Sequence, residues 1–185
     1  MTAHPRLSLN QATIRYASLT TALEVTAAAG IASIGLWREP VAEVGLERAV
    51  ALVGDSGLRV SSLCRGGFFS MPEGIGRRAA LDDNRRALDE AASLGAPTLV
   101  LVAGGLPEGS RDLAGAREQV RDAIGELADH AGATGVSLAI EALHPMYVSD
   151  RAVVSTLGHR ARFRSIYHRL ARCASGAVGR RRFRS

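Results

Sequence analysis

Glu141 has the strongest claim to chemistry in this chain, because it closes the apolar run Val136-Ser137-Leu138-Ala139-Ile140. A carboxylate beside an apolar interior is costly to desolvate without a partner. The partners that suit it are a divalent cation, since carboxylate oxygen is a ligand for Mg²⁺, Mn²⁺ or a mixed site, and a bound substrate that gives up a proton. The plain alternative is a strand-end Glu that turns to solvent or pairs with an Arg. His144 follows in the same segment, ahead of Pro145, which keeps the preceding residue extended and holds the imidazole near Glu141. It can bind a substrate hydroxyl or carry a proton, or it can face water.

Arg65-Gly66-Gly67-Phe68-Phe69 is the second chemical segment. Small glycines let backbone N–H groups approach an anion or a sugar, and Arg65 adds charge. An ordinary turn with both Phe side chains packed beneath it is the competing reading. Trp37 is the only Trp, and it can stack on the apolar face of a sugar or pack in the core. Cys64 has no His near it in sequence to activate it, so inert burial is expected. Ala103-Gly104-Gly105-Leu106-Pro107 matches neither a dinucleotide fingerprint nor a P-loop and is expected to be a plain loop. The remaining histidines are His4, His130, His159 and His168. None falls where a third or fourth strand would need one for a zinc site.

These side chains need elements to hold them. Residues 1–143 alternate short apolar runs with longer stretches of helical period that end in Gly, the pattern of repeated βα units. Strands are expected at Leu7–Ile14, Ile34–Trp37, Arg59–Cys64, Thr98–Ala103 and Val136–Leu143. Helices are expected from Ser18 to Gly30, near Val44–Ser56, from Arg77 to Leu94, and along the face carrying Leu113, Ala116, Val120, Ala123, Ile124, Leu127 and Ala131. Gln11-Ala12-Thr13-Ile14 after the first run lacks the Gly-rich loop of a doubly wound sheet. Asn10, Trp37, Cys64 to Gly67, Gly104-Gly105 and Glu141 all fall at strand ends. A (β/α)₈ TIM-barrel type α/β fold would gather them round one mouth.

Length and charge complicate that expectation. A closed barrel takes about 250 residues, and the units counted here end by about residue 150, so the barrel is expected to be incomplete, with about five βα units. The 185 residues are 46% hydrophobic and 22% charged, ordinary for a globular domain. All 23 basic residues are Arg, and the 18 acidic residues lie at or before Asp150. Residues 1–158 hold 14 Arg and all the acids, whereas 159–185 hold 9 Arg and no acid. The expected division is therefore a partial barrel over 1–158 and an aberrant basic tail over 159–185. Two readings compete for the tail: a basic arm for nucleic acid, and a shifted or truncated reading frame in GC-rich DNA, which is preferred. With only Cys64 and Cys173, no spanning apolar run and no signal-peptide layout, a cytoplasmic protein is expected.

Four segments together resemble the xylose isomerase-like barrel superfamily, in its sugar phosphate isomerase/epimerase branch. They are Leu7–Thr13, Ile34–Pro40, Gly57–Phe69 and Ile140–Tyr147, and the likeness spans roughly residues 5–157. The resemblance implies a TIM barrel that moves a proton next to the carbonyl of a sugar or related hydroxycarbonyl compound. It also implies a divalent metal, Mn²⁺, Mg²⁺ or Zn²⁺, and two glutamates acting as acid and base. Glu141 matches the first glutamate, a catalytic residue and metal ligand, while Trp37, Arg65 and His144 are the expected substrate-binding residues. The family's later Asp, His and second Glu have no counterpart here, so the metal is not expected to be held well by this chain. DNA endonucleases of the superfamily use early-strand histidines that this chain lacks, so nucleic acid is not the expected partner. The alternative function is a non-catalytic barrel remnant with a nucleic-acid-binding tail. An open five-stranded piece would expose strand edges, which favours self-association.

Overall fold

A computed structural model describes residues 6–70, 75–156 and 158. The basic segment 159–185, with His159 and His168, lies outside the described residues, as does His4.

Strands β1 (Leu9–Asn10), β2 (Ser33–Trp37), β3 (Arg59–Gly67), β4 (Thr98–Val102) and β5 (Ser137–Glu141) form one parallel sheet in chain order. Strand order without reversal is how a (β/α)₈ barrel grows, whereas a doubly wound sheet doubles back at a switch point. Helices α1 (Leu19–Ala28), α2 (Arg38–Val44), α3 (Leu46–Ser56), α4 (Ile75–Ser93) and α5 (Leu113–Thr134) connect the strands. The fold is the expected incomplete TIM-barrel type, with five strands among the described residues.

Boundaries differ from the sequence reading in instructive ways. The run Leu7–Ile14 does not stay extended. The Asn10 side chain accepts the Ala12 amide at 3.0 Å and turns Gln11–Ile14 into a 3₁₀ helix, a local bond that Asn offers in competition with a ladder. Helix α2 begins directly after β2 and was not expected. Pro40 sits within its first turn, where a missing N–H costs nothing. Strand β5 stops at Glu141, and the Leu143 amide instead donates to the Val154 carbonyl at 3.1 Å. Arg65-Gly66-Gly67 is the end of β3, not a loop after it, with Gly66 paired to Leu101 and Gly67 to Val102.

The core lies between the sheet and its helices. Ile34, Leu36, Leu63, Leu99 and Leu101 are fully buried on the helix side, against Leu19, Leu88, Val120 and Leu127. The stripe expected on α5 is buried from Ala116 to Ala131, as its spacing requires, with Leu113 partly buried at the edge. Asn84 is one of five buried polar residues among those described, 1% exposed within α4. Its side chain accepts the Gly67 amide at 2.6 Å and donates to the Gly67 carbonyl at 2.9 Å, so α4 fixes the end of β3.

Arg38 at the start of α2 ties that helix to α4. Its guanidinium donates to Glu90 at 2.6 and 2.9 Å and to Asp83 at 2.9 and 3.2 Å. The pairing holds the Asp83 carboxyl below its ordinary 3.8, with the Arg38 hydrogen bond as the main cause. A carboxyl lowered in the folded state stabilises the fold above its unfolded value, and that contribution is lost as pH falls through the folded value. Arg38→Met should therefore cost about 2 kcal/mol near neutral pH. In urea titrations the gap between variant and wild type should narrow below about pH 4. A gap that is independent of pH down to about pH 2 would rule the carboxylate clamp out.

Candidate active site

Alternation along the strands puts a second set of side chains on the sheet face away from that core. Gly35 and Trp37 of β2, Cys64 of β3, Val100 of β4, and Ala139 and Glu141 of β5 line a cleft of about 440 Å³, joined by Ser8, Asn10, Ser61 and Ser62. Hydroxyl, amide and carboxylate groups therefore meet over a floor of small residues. Trp37 and Glu141 are each the last residue of their strand, as is Asn10, which places them at the carboxyl-terminal mouth.

The Trp37 ring is fixed at both ends of its residue. Its Nε1 donates to Asn10 Oδ1 at 3.0 Å, and its amide donates to Gln11 Oε1 at 2.9 Å. Trp37 is thus at the mouth, not in the core. The Arg65 guanidinium lies 5.9 Å from the Trp37 ring centre and 5.2 Å from that of Phe68, and its Nη2 donates to Glu39 Oε1 at 3.2 Å. The backbone amides near Arg65 do not form the expected anion cradle. Gly67 N donates to Asn84, Phe68 N to Val102 at 2.6 Å, and Phe69 N to Ala103 at 3.0 Å, so the strand ladder and α4 have already used them.

Glu141 is exposed in the cleft, with no hydrogen bond or ion pair to another described residue. His144 stands apart from the cleft lining. It is exposed and its Nδ1 accepts the Met146 amide at 3.2 Å, capping a short 3₁₀ turn at Pro145–Tyr147. The structure therefore brings Glu141 and Trp37 into one cleft, while Arg65 lines a neighbouring pocket with Glu39 and Phe68 and reaches only the Trp37 ring, and His144 lines neither. Ser8, Ser61 and Ser62 escaped the sequence reading. Serines recurring inside a strand run were the available signal, and Ser8 and Ser61 hydroxyls meet at 2.8 Å.

Cys64 behaves as expected of an unactivated thiol. Burial pushes it up to about 12, the nearby negative charges of Glu141 and Glu39 add to this, and Arg65 partly opposes it. Because the thiolate is the nucleophile, its fraction at pH 8 is of order 10⁻⁴. Iodoacetamide at pH 8 should leave the Cys64 peptide unmodified in the folded chain and alkylate it fully in urea, as read by mass spectrometry. Rapid native labelling would mean that the site is open and cationic.

The chain matches the family model for the xylose isomerase-like TIM barrel over residues 23–165. It belongs to the xylose isomerase-like TIM barrel family. A crystal structure of a protein from Sinorhizobium meliloti 1021 is 50% identical, with a TM-score of 0.84 over 86% of this chain and 59% of that one. D-allulose 3-epimerase from Methylomonas sp. shares the fold at 20% identity, with a TM-score of 0.67 over 91% of this chain and 62% of that chain. The 3-keto-D-glucoside 4-epimerase of E. coli does so at 20% identity, with a TM-score of 0.67, covering 82% and 60%. The chain thus spans about three fifths of the length of these solved relatives. No curated protein matches it.

One relative by fold, 19% identical, was solved with a bound zinc atom, which raises the question of whether this chain's residues suit a divalent cation. Among the described residues, no three His, Cys, Asp or Glu side chains are grouped closely enough to hold an ion. Glu141 offers carboxylate oxygens, but no second and third described ligand are grouped with it. The described residues therefore do not fit a divalent metal by themselves. No described helix is long and apolar enough to cross a membrane.

Proposed function

We propose that this chain carries part of a sugar isomerase or epimerase site in which Glu141 moves the proton next to a substrate carbonyl. The observation that carries the reading is the Glu141 carboxylate at the end of β5, unpaired among the described residues and facing a cleft with Asn10, Trp37 and serine hydroxyls. A carboxylate that is neither salt-bridged nor hydrogen-bonded keeps its lone pairs for a substrate proton. The sugar's hydroxyls suit Asn10, Ser8, Ser61 and Ser62, and its apolar face suits the Trp37 ring. Arg65 is assigned to the neighbouring pocket, and His144 lies outside both.

The step needs only this chain's carboxylate. The C–H bond next to the carbonyl breaks, the proton passes to a Glu141 oxygen, and the electron pair moves into the carbonyl to give an enediolate. Return of the proton to the same face of that carbon restores substrate; delivery of a proton to its opposite face, by a donor on that side, gives the epimer, and protonation of the former carbonyl carbon, with the neighbouring hydroxyl becoming the new carbonyl as it gives up its proton, gives the isomer. Relatives by fold include epimerases of D-psicose and D-allulose, which supports a ketose or similar hydroxycarbonyl compound as the substrate class. If Mn²⁺, Mg²⁺ or Zn²⁺ takes part, Glu141 would be one ligand, and the described residues do not complete a set with it. A cytoplasmic location belongs to the same reading.

The test is solvent exchange. Incubated in D₂O with D-fructose, D-psicose and D-tagatose, with and without Mn²⁺, the chain should wash deuterium into the carbon next to the carbonyl of at least one sugar, seen by proton NMR. Absence of exchange in all of them, or equal exchange in Glu141→Gln, would overturn the proposal.

A further inference from the structure

We infer that Arg65 recognises an anionic group on the substrate, a phosphate ester or a carboxylate, in the pocket of about 520 Å³ that adjoins the cleft across Trp37. This rests on the proton-transfer reading for its substrate and on separate residues for its evidence.

Two arginines stand at this end of the sheet, and they are used differently. Arg38 is spent, because its Nε, Nη1 and Nη2 all donate to Glu90 or Asp83. Its place is in the packing of α2 on α4. Arg65 gives one hydrogen bond, from Nη2 to Glu39, while its Nε and Nη1 have no acceptor among the described residues. The Glu39 bond is the weak kind, 3.2 Å long with side chains 35% and 52% exposed. One edge of a planar guanidinium is therefore left open, and that edge matches the paired oxygens of a carboxylate or phosphate.

The open edge is also held in place. The guanidinium sits within cation–π reach of Trp37 on one ring and Phe68 on another. Trp37 is itself anchored through Asn10 and Gln11, and Phe68 through the Val102 carbonyl. A cation ordered before its ligand arrives loses less freedom on binding. With the neighbouring backbone amides already donating within the protein, the Arg65 side chain is the anion donor this end of β3 still offers. Arg65 lines a neighbouring pocket with Glu39 and Phe68, and Trp37 links that pocket to the Glu141 cleft, since it lines the cleft while its ring approaches Arg65. An anionic substituent on Arg65 would thus leave the body of a sugar against the Trp37 ring. Glu39 then acts as a stand-in anion that the substrate displaces.

The only Trp in the chain reports on the event directly. Trp37 fluorescence would be titrated with D-fructose 6-phosphate, D-gluconate and D-fructose at low salt. Wild type should bind the phosphate ester or the sugar acid at least about tenfold more tightly than neutral fructose. The tighter of the two names the anion. Calorimetry on Arg65→Met should show the preference gone, Arg65→Lys should keep only part of it because a point charge replaces the fork, and Glu39→Gln should strengthen it. Glu141→Gln should keep the preference while losing deuterium exchange, which separates this inference from the proton-transfer reading. Equal binding of charged and neutral sugars by wild type, or an undiminished preference in folded Arg65→Met and Arg65→Lys, would overturn it.

Discussion

Gly67→Ala should lower the melting temperature by about 10 °C, the signature of a loss of roughly 3–5 kcal/mol in a domain of about 150 residues. Gly67 has φ +111, a conformation that L side chains rarely adopt, and a Cβ there would overlap the Val102 carbonyl and backbone. Adopting that region costs about 1–3 kcal/mol for a non-glycine residue, and forcing apart a packed contact costs a similar amount. The neighbour cannot yield cheaply. Val102 is backbone in the adjacent strand, paired in register with Gly67 and accepting the Phe68 amide. Relief would have to move β3 away from β4 and break the Asn84 clamp on Gly67. Gly54→Ala is the internal control. It lies inside α3 with nothing within 4 Å of the added Cβ, so Ala should stabilise by about 0.5–1 kcal/mol. Thermal unfolding followed by circular dichroism reads both, and opposite signs are expected. Equal, small effects would mean that the end of β3 tolerates a side chain, and that the positioning of Cys64 and Arg65 there is looser than the structure shows.

The same stretch shows why part of the fold was legible in the sequence and part was not. Period is a strong signal, so β2, β4 and the buried stripe of α5 stand where apolar spacing put them. The order of the sheet followed from the missing glycine loop and the clustering of polar residues at strand ends. What period does not carry is a side chain bonding its own backbone, and Asn10 ended β1 in that way. Gly66-Gly67 looked like a turn because glycine is the usual turn residue. In the structure the glycines are there because β4 and Asn84 press against them. Asn84 itself sat unnoticed in a helical run, since nothing in α4 reveals that its amide reaches a strand. The site divided along the same line. Glu141 and Trp37 could be found as strand-end residues, whereas Glu39, which pairs with Arg65, depends on the unforeseen helix α2.

Glu141→Gln should reduce the rate of deuterium exchange into substrate by about 10²–10⁴-fold, the range expected for removing a positioned general base. Gln keeps the length and shape of the side chain and its ability to accept a hydrogen bond, but it cannot take up the proton. Little else in the fold should respond, because Glu141 is exposed and makes no hydrogen bond or ion pair with the described residues, and surface substitutions of this kind stay within about 0.5 kcal/mol. A second readout follows from the geometry. The Glu141 charge helps to hold the Cys64 thiol high, after burial itself. Neutralising Glu141 should therefore lower that thiol and speed its slow alkylation at pH 9, whether or not a substrate is found. Faster labelling with lost exchange would place the carboxylate beside Cys64 and make it the base. Faster labelling with exchange intact would keep the geometry but move the chemistry to another group. Unchanged labelling would mean that Glu141 does not face Cys64 across the cleft, and the site built on that pair would fall. Glu141→Asp refines the first outcome. It retains the charge but draws the oxygens back by about 1 Å, a misplacement expected to cost about 10²-fold in exchange, while labelling of Cys64 stays close to wild type. A carboxylate that acts by reach would be separated in this way from one that acts by charge alone.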